Sequence, residues 1–216
     1  MGALATILRT HGTETPAAVF IDHLASGHTL SYGAALETAR ALTQVLADLK
    51  VGKKDKVAFV VRNHWLFFPL LVACNARRAV LVPVDPDLHR DELAFILKDA
   101  GPKLTVFADG ANAAAINKGK TRSLSALLSA AEQVSAPPSL DETAHGDVTL
   151  MIYTSGTTGT HKCVMLTDAN LVANAEALAA RYDIGPTDRL FCNLPTHHMN
   201  AIMMTGMTPM DAGAAV

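Results

Sequence analysis

Short apolar runs alternate with helix-length segments through the first half of this chain, and few folds accept that rhythm. Val57–Val61 is an unbroken apolar run, the pattern of a strand covered on both faces. A helical segment follows over Trp65–Arg77, then a second apolar run, Ala79–Val84, closed by Pro83, Asp85 and Pro86. The scheme repeats with a helix over Asp91–Ala100, a Gly101-Pro102 turn and a strand over Lys103–Ala108. Strands that alternate with helices of this length predict βαβ crossovers and a mostly parallel sheet with helices packed on it, an α/β fold.

The flanking segments fill in the scheme. After an amphipathic start, Ala18–Ile21 is a candidate strand and Gly27-His28 a turn. Ser31 is placed to cap a helix over Tyr32–Leu49, with Leu36, Ala39, Leu42, Val45, Leu46 and Leu49 along one side. Residues 109–147 carry weaker signals. A helix is expected over Leu124–Gln133, and the proline-bearing, polar stretch near 134–147 is expected as a loop connection, between parts of one domain rather than between two. Beyond it, Val148–Tyr153 is a strand candidate, and Thr167 or Asp168 caps a helix to about Tyr182. A strand over Arg189–Leu194, a helix over Met199–Met207 and a turn into a further strand over Asp211–Val216 complete the expectation.

Composition excludes several classes of function. The 216 residues carry a net charge of −2, so there is no basic footprint for nucleic acid. The longest apolar run, Trp65–Cys74, contains Pro69 and falls short of the roughly 20 residues a bilayer span needs. The first residues lack a basic stretch followed by an apolar core, so no secretory leader is read. Cys74, Cys163 and Cys192 are odd in number and far apart, which suits reduced thiols in a cytoplasmic protein.

The segment Thr154-Ser155-Gly156-Thr157-Thr158-Gly159, with Lys162 three residues on, is the candidate for chemistry. Glycines allow the backbone close to a ligand, hydroxyls and free N–H groups donate to phosphate oxygens, and the lysine adds a point charge. Lying between a buried-type strand and a helix, the segment is read as a strand–loop–helix phosphate mount. It is not a Walker loop, because His161-Lys162-Cys163 lacks the glycine before the lysine and the hydroxyl after it. Cys163, Cys192, His161, His197 and His198 have no metal-ligand spacing, and no metal site is assigned.

YTSGTTGTHKCVMLTDANL (Tyr153–Leu171) resembles the loop of the adenylate-forming, or acyl-activating, superfamily, written YTSGTTG-x-PKGV-x-LTH-x-NL. Two further stretches agree in order and spacing. ACNARRAVLVPVDP (Ala73–Pro86) resembles the family's A-x-x-x-GA-x-x-VP-x-DP segment, and LPTHHMNAI (Leu194–Ile202) its LPLFHVNGL segment, which points to the acyl-CoA synthetase branch. The resemblance implies part of the large N-terminal domain of that fold. It also implies ATP with its Mg2+, CoA as co-substrate and a small-molecule carboxylate as substrate. By position, Thr154, Ser155, Thr157 and Thr158, with the amides of Gly156 and Gly159, would hold the β- and γ-phosphates of ATP, with Lys162 beside them. His198 would lie near the α-phosphate and the carboxylate, although a histidine merely packed in a loop reads the same in sequence.

The chain also departs from the pattern. His161 stands where the family has proline and Cys163 where it has glycine, losing a preset φ and adding a Cβ. Family members are much longer, and the adenine and magnesium motifs, the ribose-binding aspartate, the hinge and the C-terminal domain with its lysine are not found before Val216. The expectation is therefore an incomplete N-terminal AMP-binding domain over 1–216, inactive alone and associating with the remainder of a longer chain or with a second copy. The competing reading is a non-catalytic, adenylation-like nucleotide-binding module.

Overall fold

The structure is a computed structural model and describes residues 4–111, 120–140, 146–155 and 161–216. A helix, α1 (Leu4–Glu14), leads into a two-stranded antiparallel ribbon, β1 (Val19–His23) and β2 (His28–Ser31). Then come α2 (Tyr32–Asp48), β3 (Lys56–Val60), α3 (Phe67–Ala76), β4 (Val80–Pro83), α4 (Arg90–Ala100) and β5 (Leu104–Phe107). They are followed by β6 (Lys120–Ser123), α5 (Leu124–Glu132), β7 (Val148–Ser155), β8 (His161–Thr167) and α6 (Asp168–Tyr182). The last elements are α7 (Met199–Ile202), a π turn over Met203–Met207 and α8 (Thr208–Ala212).

Six strands form the main sheet in the order β6-β5-β3-β4-β7-β8, parallel throughout except for the antiparallel β7–β8 pair. The apolar run of β3 is covered on both faces, as its sequence requires. Val57 and Phe59 enter the larger core with α1, α2 and α3, while Ala58 and Val60 meet Leu93, Ile96 and Leu97 of α4 on the opposite side. Each of the larger of these side chains, such as Val57, Phe59 and Val60, contributes on the order of 1.5–3 kcal/mol by its burial. α3 is apolar all round and buried from Phe67 to Asn75, as expected of a helix packed on every side.

Local chemistry sets the helix ends. The Ser31 hydroxyl accepts from the Ala34 N–H at 3.2 Å and caps α2, a contact worth about 1 kcal/mol. Gly101, at φ 56°, ends α4 in the left-handed conformation that favours glycine. Thr167, not Asp168, caps α6. Its hydroxyl accepts from Asn170 N–H at 3.2 Å, and Asp168 instead takes the Leu4 N–H at 3.0 Å and fixes α1 to α6. The stretch after α5 carries no regular structure over 134–140, and Arg40 of α2 ties it down by donating to the Pro137 and Pro138 carbonyls at 3.0 and 2.8 Å.

Several elements differ from the sequence expectation: β2 begins at His28, where a turn was read, and Asp211 and Ala212 close α8 where a turn into a strand was read. Lys120–Ser123 is a parallel edge strand, which its polar KTRS sequence does not announce. Arg189–Leu194 is not a strand: only Arg189 bridges, to Ala215, and Phe191 is 71% exposed. Its ladder has a partner on one side alone among the described residues. Ala215 N–H donates to Asp188 O at 3.0 Å and Leu190 N–H to Ala215 O at 2.9 Å. Val216 in turn pairs with β1, through Phe20 O and Asp22 N–H, both at 2.8 Å.

Candidate functional site

The chain leaves β3 toward α3, packed in the larger core, and leaves β4 toward α4, on the other face. Neighbouring parallel strands whose connections part to opposite faces open a crevice at their carboxyl ends, the usual ligand position in such sheets. The segment Leu194–His198 lies across that crevice. On the β3 side Asn63 holds it: the side-chain amide donates to Leu194 O at 2.8 Å and the amide oxygen accepts from Thr196 N–H at 2.8 Å. On the β4 side Asp85 stands 3.6 Å from His197 Nε2.

The two histidines line a small cavity of about 170 Å³ together with Asp85, Leu88, Ile96 and Tyr153 and the end of β4 at Pro83 and Val84. Tyr153, next to the hydroxyl-rich segment, donates to Asp99 Oδ2 at 2.6 Å, so α4 fixes the end of β7. Burial, and then the Asp99 carboxylate, push the Tyr153 phenol well above its ordinary range. Burial also holds His197 below the usual imidazole range, outweighing the upward pull of Asp85 and Asp87, while His198 adds a further downward push. His197 is therefore neutral at pH 7, and its 3.6 Å approach to Asp85 is neither an ion pair nor a hydrogen bond. The His197 and His198 rings lie 4.4 Å apart; His198 is exposed, and its backbone begins α7.

The structure corrects the strand–loop–helix mount. The hydroxyl-rich segment connects β7 to β8, two antiparallel strands, with Thr154 opposite Lys162 and Ser155 opposite His161. The Thr154 hydroxyl donates to Lys162 O at 3.4 Å, and both side chains are exposed at the sheet's outer end. The α6 N-terminus begins only after Thr167, six residues from His161, or about 20 Å along an extended strand. Its dipole is too far away to assist an anion at the segment, because helix-end effects fade within a turn. The apolar, partly β-branched CVML of β8 explains why a strand forms there. Gly156, Thr157, Thr158 and Gly159 lie outside the described residues.

Among the candidate residues, Thr154, Ser155 and Lys162 thus share one end of the hairpin, and His198 sits at the crevice beside Tyr153, the residue before Thr154. Asn63, Asp85 and Asp99 were not singled out in the sequence. Asp85 stands in the VPVDP stretch that carried part of the resemblance, whereas nothing local marks Asn63, since the partners of its side chain are more than 130 residues away. Among the described residues no group of three or more His, Cys, Asp or Glu side chains lies together as a metal would need. All three cysteines are free, and no described helix is long and apolar enough to cross a membrane.

The chain matches the model of the AMP-binding enzyme family over residues 8–216 and belongs to that family. It is 30% identical over 230 residues to a sulfoacetate–CoA ligase of Cupriavidus necator, covering 99% of this chain and 44% of that protein. It is also 30% identical to a long-chain-fatty-acid–CoA ligase of Mycobacterium tuberculosis, over 94% of this chain and 42% of the relative. The fold matches ATP-bound MatB from Rhodopseudomonas palustris with a TM-score of 0.89 at 24% identity, covering 99% of this chain and 44% of that one. The chain spans less than half the length of each of these relatives.

Proposed function

We propose that this chain is the nucleotide-gripping part of an ATP-dependent acid–thiol ligase. A carboxylate oxygen attacks the α-phosphorus of ATP, the α–β anhydride bond breaks, and pyrophosphate leaves an acyl-adenylate. The thiol of CoA then attacks the acyl carbon, AMP leaves, and the thiol proton passes to solvent. Thr154, Ser155, Thr157, Thr158 and Lys162, with the amides of Gly156 and Gly159, hold the β- and γ-phosphates and stabilise charge gathering on the leaving pyrophosphate. His198 stands near the α-phosphate and the incoming carboxylate. Magnesium enters with ATP, as part of the substrate. The ATP-bound state of MatB and the CoA-ligase names of the relatives support this reading.

The observation that carries it is geometric. The outer end of the β7–β8 hairpin, with its hydroxyls and lysine, continues directly into Tyr153 of the cavity that His197 and His198 line. That continuity supports phosphate donors on the hairpin and imidazoles at the cavity acting on one substrate. The relatives' acids run from sulfoacetate to long-chain fatty acids, so no single acid, and no tie to fatty acid metabolism in particular, is favoured. The free thiols support a reducing compartment such as the cytoplasm. The test is carboxylate-dependent exchange of labelled pyrophosphate into ATP by the polypeptide carrying this chain, with a panel of short, aromatic and long-chain acids. Exchange that needs an acid supports the ligase. ATP binding with no exchange for any acid would instead support the nucleotide-binding module.

A further inference from the structure

We propose that Asn63 is a positioning residue for the adenylation step, a role that rests on the ligase reading above. The histidine segment has no ladder of its own: beyond Arg189 it forms no strand, and Phe191 and Leu194 are exposed. Two hydrogen bonds from one side chain replace that ladder. Asn63 donates to Leu194 O and accepts from Thr196 N–H, both at 2.8 Å, gripping the backbone on either side of Pro195. Proline lacks an N–H, so the residues flanking it are the nearest backbone groups that such a clamp can use. Thr196 is buried, and the next two residues are His197 and His198.

Asn63 is itself held. Its backbone carbonyl can only accept, so His23 Nε2 carries the proton and donates to it at 3.2 Å, while His23 Nδ1 takes the Ser26 hydroxyl at 2.6 Å. The neighbouring residue, His64, is fixed by the Leu66 N–H, which donates to its Nδ1 at 3.1 Å. The β1–β2 ribbon therefore holds the Asn63 backbone, and the next residue, His64, is tied to the start of α3. An amide is the required group, because one atom must donate while the other accepts; a carboxylate in the same place can only accept. Once protonated, however, a carboxylic acid offers both functions and restores the pattern.

That difference supplies the test. In acid-dependent pyrophosphate exchange, N63D should lower kcat about tenfold or more at pH 8, as expected when a reacting group is misplaced by a fraction of an ångström to an ångström. The KM for ATP should stay within about twofold, and the N63D rate relative to the parent should recover as pH falls toward 5 and the new acid protonates. N63A should be slow at every pH, and the Thr196 amide should exchange with solvent at least tenfold faster. Identical pH profiles for N63D and the parent, or an unchanged kcat per folded molecule in N63A, would overturn the proposal. If the parent shows no exchange with any acid, the ligase reading fails first. The clamp is then judged by the Thr196 amide in N63A: acceleration supports the geometry, and unchanged protection rejects it.

Discussion

Replacing His64 with asparagine separates the acid sensitivity of this fold from its packing. His64 lies between β3 and α3, where burial chiefly, and then the imidazoles of His23 and His28, push its pKa down to about 4 from 6.5, against the pull of Asp109. Its Nδ1 accepts the Leu66 N–H, a bond that protonation at that nitrogen would break. A folded value below the unfolded one means that the neutral ring's contribution is whole above pH 6.5 and is lost as pH falls toward 4. The full shift would amount to about 3 kcal/mol, and solvent at this partly buried ring reduces it to about 1–2 kcal/mol. Asparagine can accept the same N–H two residues on, as in an Asx turn, and does not titrate. The chain's single tryptophan, Trp65, reports the region directly: it stacks on His28 at 4.3 Å and lies 5.2 Å from His64. Urea midpoints followed by Trp65 fluorescence at pH 7.5, 6.5, 5.5 and 4.5 should show the parent losing about 1–2 kcal/mol more than H64N. Parallel loss in the two proteins would refute the argument, since every other titrating group is common to both.

Other expectations follow from single contacts. Lys162→Ala removes the hairpin's charge from the expected position of the β- and γ-phosphates, so affinity for ATP and pyrophosphate should fall about tenfold while AMP binding stays within about twofold, read by calorimetry. Equal losses for all three ligands would place the lysine elsewhere. Gly206 sits in the π turn where an ideal Cβ would overlap Phe68 Cζ, and the Phe68 ring is buried. G206A should therefore cost about 1–3 kcal/mol in urea, and adding F68L should return part of it.

How much of this was legible in sequence depends on where each signal is stored. β3 and β4 announced themselves because burial on both faces demands an unbroken apolar run, and α2 did so because Ser31 and its apolar stripe are local. The crevice was not read in the sequence, because the face each crossover takes is decided by packing across the sheet and not by residues local to the strand. The β7–β8 hairpin was misread because a glycine-rich segment after a buried strand equally suits a helix to follow, and CVML is too short to decide the matter. Asp85 and Asn63 were silent, because what defines them is an approach to residues more than a hundred positions away.

Cys163 bears most directly on whether the departures from the family pattern disable the site. Glycine at that position would matter if the backbone needed a left-handed φ or if a Cβ had no room. Neither condition holds. Cys163 lies in β8 opposite Tyr153 in regular register, and it is not among the residues with positive φ. Its side chain is half-buried near the Tyr153 hydroxyl, and burial raises its thiol above the ordinary range, so it is a packed, protonated group in a strand. Restoring glycine should then repair nothing. Cys163→Gly is expected to weaken the hairpin by about 0.5–1 kcal/mol, the usual loss for glycine inside a strand, and to leave pyrophosphate exchange per folded molecule within about twofold. A tenfold gain in exchange would show that the cysteine disables the loop and would return weight to the nucleotide-binding module. An unchanged rate leaves the phosphate donors of the hairpin intact and favours the ligase.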